Sequence, residues 1–437
     1  MSKSRVRGHY APMRALIFTA CLAFCASPAF AQDYQRQAAA ASELQEMCGA
    51  DAGQLWNTSL CGPLIVVEGG TRQAWATQRD NTGVLVRSPS GAWVGTLPTG
   101  VAVANATVDW GGVRWIMVVG PLPEETTARR VLIAHEAWHR VQSSIGLPMH
   151  DTAAAHLETE RGRYLLRLEL RALATAMLSN GRARRNATKD ALAFRMARLA
   201  AFPDASAAES ALDRNEGLAS YTGVRLGAGE EAHLFAARTL DLYDQQDTLA
   251  RSYAYASGPA YGLLLDEYVP NWRGSLAAWA PADLLVSPLR AQQLSARNLL
   301  RRAERYGGPD IATEERTRAE NERARIERLR SRFALGARPM LALRLSNPQF
   351  EFNPNVVTPI EGLGTYYETL TIRDMWGEAR ITEGAVITSD FGQLLLADPD
   401  PGSGGLTGPG WTLELAPGHQ IVEPPALSPA PTPAVVN

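Results

Sequence analysis

Residues 131–142 read VLIAHEAWHRVQ, with His135 and His139 four apart and Glu136 directly after the first. On a helix, positions i and i+4 share one face. Two imidazole nitrogens can therefore meet one cation, at about 2.0–2.1 Å for zinc. Glu136 can reach a water on the open side of such an ion and take its proton, since zinc draws that water's pKa towards neutrality. This is the HExxH arrangement. Three fixed letters in five also arise by chance, and a helix can carry exposed histidines harmlessly. Here Val131, Leu132, Ile133 and Trp138 make the helix largely apolar. Two histidines buried together without a partner would be costly, which favours the metal reading.

A catalytic zinc needs a third protein ligand and an open position. Downstream, Glu158, Glu160, Glu169, Glu209, Glu216 and His233 could each supply it. The absence of a histidine at the short spacing of HExxHxxGxxH excludes that class. Two further stretches bear on the choice, DRNEGLASYTG at 213–223 and YAYASGPAYGLLLDEY at 253–268. The first resembles the Asn-Glu-Gly-Phe-Ala-x-Tyr helix of gluzincin metallopeptidases of the aminopeptidase-N type, and the second their Tyr-x-Lys-Gly-Ala segment. The resemblance implies Glu216 as third ligand of a Zn2+ ion and Tyr255 as a phenol that helps hold the developing oxyanion. Tyr253 is its nearest rival, and packing on an apolar helix is the plainer reading of both. Gly217 and Ala219 would let two helices approach closely. The chain departs from that family in three ways: the gap between His139 and Glu216 is far longer, the Gly-x-Met-Glu-Asn segment that grips a free amino terminus is missing, and Ser257 replaces the lysine. The resemblance thus implies a divergent member, of an uncharacterised bacterial branch, that hydrolyses peptides or proteins without the aminopeptidase anchor.

The elements that must position these residues follow from hydrophobic period and turn residues. A helix is expected from about 32 to 50, and short alternating runs from Cys61 to Val119 predict strands. The HExxH helix is expected to have Pro123 at its head and Glu124 and Glu125 in its first turn, with Gly146 following its end. Helices continue through 155–201 and on to about 270. Glu169 has two readings: it could orient His135 or His139 through a ring N–H, or pair with Arg167 or Arg171 on a helix surface, which is preferred. The fold expected is α+β: a mainly helical zinc-peptidase-like core at 122–288, flanked by β-rich regions at 32–121 and 336–422. A charged, solvated helical segment fills 289–335, and a disordered Pro-rich tail 423–437.

The chain has 437 residues, a formal net charge of −2 and 46% hydrophobic residues. That balance allows several domains and a large core and gives no sign of nucleic-acid binding. Residues 1–31 read as a signal peptide, with an arginine-bearing front, a short apolar run and small residues before a cleavage site after Ala31. With no later segment apolar enough to insert stably in a membrane, the mature chain is expected in the periplasm or secreted. Cys48 and Cys61 remain after cleavage, and in an oxidising compartment a disulfide between them is preferred over metal-binding thiolates. The alternative to a zinc hydrolase is a non-catalytic protein whose zinc only staples helices while the β regions bind a partner. The oligomeric state is left open.

Overall fold

The computed structural model describes residues 28–150, 152–277, 279–334, 338–353, 356–422 and 434–436. Residues 1–27, most of the expected signal segment, and 423–433, most of the expected tail, lie outside the described residues. The fold is α+β, with helices and separate β-sheets. No described helix is long and apolar enough to cross a membrane. The chain divides into two compact units, 1–141 and 142–437.

The first unit opens with α1 (Pro28–Asp51), which contains the expected cleavage site after Ala31. Then come β1 (Leu64–Glu68), β2 (Gln73–Ala76), β3 (Val86–Arg87), β4 (Trp93–Thr96), β5 (Ala106–Trp110) and β6 (Val113–Gly120). They form one sheet in the order β3-β4-β2-β1-β6-β5, with β1 and β6 parallel and Leu64 opposite Ile116. Residues 64–67 of β1 and 115–118 of β6 are all buried, as expected where parallel strands are covered on both faces. The helix bearing the two histidines follows as α2 (Thr126–Gln142). Its start is set by Glu125, whose carboxylate accepts the backbone N–H groups of Thr127 and Ala128 at 2.7 and 2.5 Å, satisfying donors a helix N-terminus leaves open. Arg129 then forms a buried two-pronged pair with Glu43 of α1, at 2.9 and 2.5 Å. One turn short of the end, Trp138 packs on Trp56, ring centroids 5.6 Å apart. Arg140 donates to the carbonyl of Cys61 at 3.2 Å. Cys61 is disulfide-bonded to Cys48, so α1 and the 57–61 loop are tied together beside α2.

The second unit begins with helices. These are α3 (Glu160–Met177), α4 (Gly181–Ala201) and α5 (Ser206–Leu212), then a π-helical turn (Asp213–Gly217) running directly into α6 (Leu218–Gly227). Next come α7 (Ala232–Asp244), α8 (Tyr253–Tyr268), the short α9 (Pro281–Leu284) and α10 (Val286–Leu289), α11 (Ala296–Ala303) and α12 (Gly308–Arg332). α3 packs on α4, α7 and α12, and α8 on α6, α7 and the π turn. α12 carries the ladder of i,i+3 pairs expected of a solvated helix, such as Arg325–Glu322 and Arg330–Glu327. It is not wholly solvated. Glu315 is buried and takes Arg163 at 2.9 Å and Arg167 at 3.0 Å from α3.

The C-terminal part of this unit is β. It comprises β7 (Met340–Arg344), β8 (Gln349–Phe352), β9 (Val357–Ile360), β10 (Gly364–Tyr367), β11 (Leu370–Asp374), β12 (Gly377–Ile381), β13 (Ala385–Thr388), β14 (Gln393–Ala397), β15 (Thr407–Gly408), β16 (Trp411–Leu415), β17 (Ile421–Val422) and β18 (Ala434–Val436). Among the described residues these make a seven-stranded and a five-stranded sheet. Strand alternation explains the packing. Leu341, Leu343, Leu394 and Leu396 share a core with Ile372, Ala379 and Trp411 of the smaller sheet. The alternate residues Met340, Ala342, Leu395 and Ala397 meet Leu329 and Phe333 at the end of α12. The three residues of β18, within the segment expected as a tail, pair in parallel with β7.

The disulfide closes a short loop, so removing it should lower unfolding free energy by about 3 kcal/mol through the entropy of the unfolded chain. Denaturant titration of Cys61→Ser against the parent, with and without reductant, measures this. Equal midpoints for all samples would contradict it.

Candidate metal centre

The donor atoms of His135, His139 and Glu216 all lie within 4.8 Å of one another, and this group could hold a metal ion. Both histidines are buried and Glu216 is partly so. The two Nε2 atoms are 3.1 Å apart. Ligands placed tetrahedrally at 2.0–2.1 Å from one zinc would be about 3.3 Å apart. The two imidazoles are at that spacing, and with a carboxylate in the same group they form a donor set of the kind zinc takes with a position left over. The Glu136 carboxylate is buried, 3.9 Å from His135 Nε2.

Glu216 sits in the π turn, a wider coil inserted into an otherwise continuous helical run from Ser206 to Gly227. Such turns re-aim side chains and recur at functional sites. Two features fix this one. First, Gly217 lies against Gly258 of α8, so close that a Cβ on Gly258 would stand 2.2 Å from the Gly217 Cα. The expected role of Gly217 in close packing is thus met, with Gly258 as its counterpart. Second, Asp213 is buried and pairs with Arg195 of α4 at 2.5 Å, while Tyr253 donates to it at 2.9 Å and to the Glu209 carbonyl at 3.1 Å.

These contacts belong to a buried ionic cluster. Arg198, fully enclosed, binds Glu209 at 2.7 and 2.8 Å and also Glu169. Tyr261 donates to Glu169 at 2.6 Å. His156 meets Glu209 at 2.7 Å. Neither reading of Glu169 from sequence holds. It is buried and held by Arg198 and Tyr261, because the face of α3 that carries it is covered by α4 and α8. Arg167 and Arg171 instead bind Asp244 of α7. Burial opposes ionisation of Glu209, yet Arg198 and Arg195 hold its pKa well below the usual carboxylate range. Asp213 is pushed up to about 6, chiefly by burial and against the pull of Arg195.

The other candidate ligands have other employment. Glu158 accepts the N–H groups of Leu249 and Ala250 at 3.0 and 3.1 Å and lines a cleft of about 1320 Å³ bounded by α12 and β9. Glu160 is exposed. His233, half-buried, has its pKa lowered by burial and by Arg184. Tyr253, the rival phenol, is committed to Asp213, while Tyr255 is half-buried on the same helix.

Three residues near the centre escaped the sequence reading. Gln142, fully buried at the end of α2, donates from Nε2 to Asn215 Oδ1 at 3.0 Å, and Asn215 Nδ2 donates to Glu216 Oε1 at 2.9 Å. Tyr243 of α7 has its pKa raised by burial and then by the charge of Glu216. A signal for Gln142 existed, since it stands three residues after His139 on the same helix; Asn215 was inside the quoted motif. Nothing local marks Tyr243. Comparisons with models of known families, with curated proteins and with solved structures give no match.

Two expectations follow. Gly258→Ala should lower stability by about 1–3 kcal/mol, the usual range for overpacking, and should weaken metal uptake because the π turn must move; unchanged melting and uptake would refute the contact's importance. The second concerns Asp213. Its native pKa of about 6 exceeds that of the unfolded chain, so the native state binds the proton more tightly. Its contribution to stability is therefore full below about pH 4 and falls as pH rises towards 6. The melting temperature of the parent minus that of Asp213→Asn should decline across that window and then level off. A flat difference would contradict the assignment.

Proposed function

We propose that the protein is an exported zinc-dependent hydrolase that cleaves amide bonds in peptides or proteins, a divergent relative of the gluzincin peptidases. The observation that carries this reading is the convergence of His135, His139 and Glu216 within 4.8 Å, with the Glu136 carboxylate beside them. These three residues would hold the ion, and the ion when bound supplies Lewis acidity that brings a water's pKa towards neutrality. The rest is work for the chain's own groups. Glu136 accepts the proton of the attacking water and delivers it to the departing nitrogen. Its enclosure beside His135 suits a carboxylate that must exchange protons rather than stay solvated. Tyr255 donates its phenolic O–H to the oxygen on which negative charge develops. The buried cluster around Arg195 and Arg198 holds the π turn that carries Glu216. A closed structural zinc would be expected to have four protein ligands; three with a carboxylate base adjacent favour the enzyme over the staple.

The test is Glu136→Gln. This variant should retain stoichiometric zinc by elemental analysis and lose hydrolysis of a quenched-fluorescent peptide library by about 10²–10⁴-fold, the share typical of a general base. His139→Ala should lose the metal itself. Parent and Glu136→Gln behaving alike towards every peptide would defeat the enzyme reading, while retained zinc in His139→Ala would defeat the ligand set.

A further inference from the structure

We infer that Gln142 and Asn215 form a directional amide relay that positions Glu216 for the metal, an inference that rests on the ligand set proposed above. Gln142 Nε2 donates to Asn215 Oδ1 at 3.0 Å, and Asn215 Nδ2 donates to Glu216 Oε1 at 2.9 Å. Each bond fixes the sense of the next. An amide has one donor end and one acceptor end, so with its oxygen held by Gln142, Asn215 must turn its NH2 group towards Glu216. That bond pins one carboxylate oxygen, which sets the plane of the carboxylate and the direction of its other oxygen. Gln142 is fully buried and Asn215 is 9% exposed, so water does not readily substitute for either group.

The relay begins on the metal-binding helix itself. Gln142 lies three residues after His139 and seven after His135 on α2, hence on the same face. One helix face thereby presents two imidazoles and the amide that orients the third donor. The residue types are also informative. Arg or Lys in place of Asn215 would hold the carboxylate more strongly but would cancel the charge that attracts a cation. A neutral amide orients Glu216 and leaves its charge intact. Groups that orient a metal ligand typically change metal affinity by 10–100-fold when removed.

The experiment measures zinc affinity of the full mature chain by chelator competition, together with the melting temperature of the metal-free protein. Asn215→Asp keeps the shape but replaces the donor with an acceptor facing Glu216. Gln142→Glu removes the donor that holds the Asn215 oxygen, so that amide can flip and turn its oxygen to Glu216. Each variant should bind zinc 10–100-fold more weakly. Thr188→Val serves as the control, because it removes a buried hydroxyl bond to the Arg184 carbonyl in α4; it should lower the melting temperature with zinc affinity unchanged. The relay is overturned if Asn215→Asp and Gln142→Glu hold zinc as tightly as the parent, or if Thr188→Val loses affinity to the same degree as it loses stability. A parent that takes up no zinc overturns the ligand set and the relay together. A parent that binds zinc and loses it in His139→Ala, beside tight-binding relay variants, sinks the relay alone.

Discussion

Within the second unit, the placement of Glu216 turns on a backbone contact that leaves no room for a side chain. Gly258 of α8 meets Gly217 of the π turn with no space for a Cβ on Gly258. Close backbone approach is a use to which glycine is specially suited. On the same helix Tyr253, five residues before Gly258, reaches Asp213 and the Glu209 carbonyl. Glu216 is the neighbour of Gly217, so the position of the carboxylate is inherited from that approach. A few tenths of an ångström there would change how the donor set closes, because packed interiors transmit displacement rather than absorb it.

Around this contact the chain places an unusual amount of buried charge. Glu169, Glu209 and Asp213 face Arg195 and Arg198, all nearly or wholly enclosed. Ion pairs of this kind add little net stability compared with a well-packed apolar core, but removing one partner leaves the other charge stranded at about 3–5 kcal/mol. They therefore act chiefly on arrangement. The cluster joins α3, α4, α5, the π turn and α8 through Arg198, which binds both Glu169 and Glu209, and through Arg195, which pairs with Asp213. The raised pKa of Asp213 records the cost of that burial, and the lowered pKa of Glu209 records how well two arginines compensate it.

Much of the element layout was legible in the sequence, for local reasons. The α+β class, the β runs between Cys61 and Val119, and the HExxH helix between Pro123 and Gly146 follow from period and from turn residues that act within a few positions. Among six possible third donors, spacing alone could not choose; the Asn-Glu-Gly resemblance pointed to Glu216, which the structure brings to the two histidines. Glu169 shows the limit. On α3 it stands two residues from Arg167 and from Arg171, and the local reading pairs it with one of them, although side chains two apart on a helix do not face each other. The covering of that face by α4 and α8 is a tertiary fact, and it hands Glu169 to Arg198 and Tyr261. The same holds for α12, whose charge density reads as solvated yet which buries Glu315 against Arg163 and Arg167.

Two kinds of polar group therefore divide the work by chemistry. Full charges lie in the scaffold, where strong, mutually satisfied pairs fix helices against one another and no ligand has to enter. Beside Glu216 the chain uses amides instead, through Asn215 and Gln142. A guanidinium in that place would offer tighter geometry and a worse site, since a carboxylate already paired with a cation has less to give a second one. Neutral donors avoid this competition. They also carry no titratable proton, so their hydrogen-bonding sense does not depend on pH.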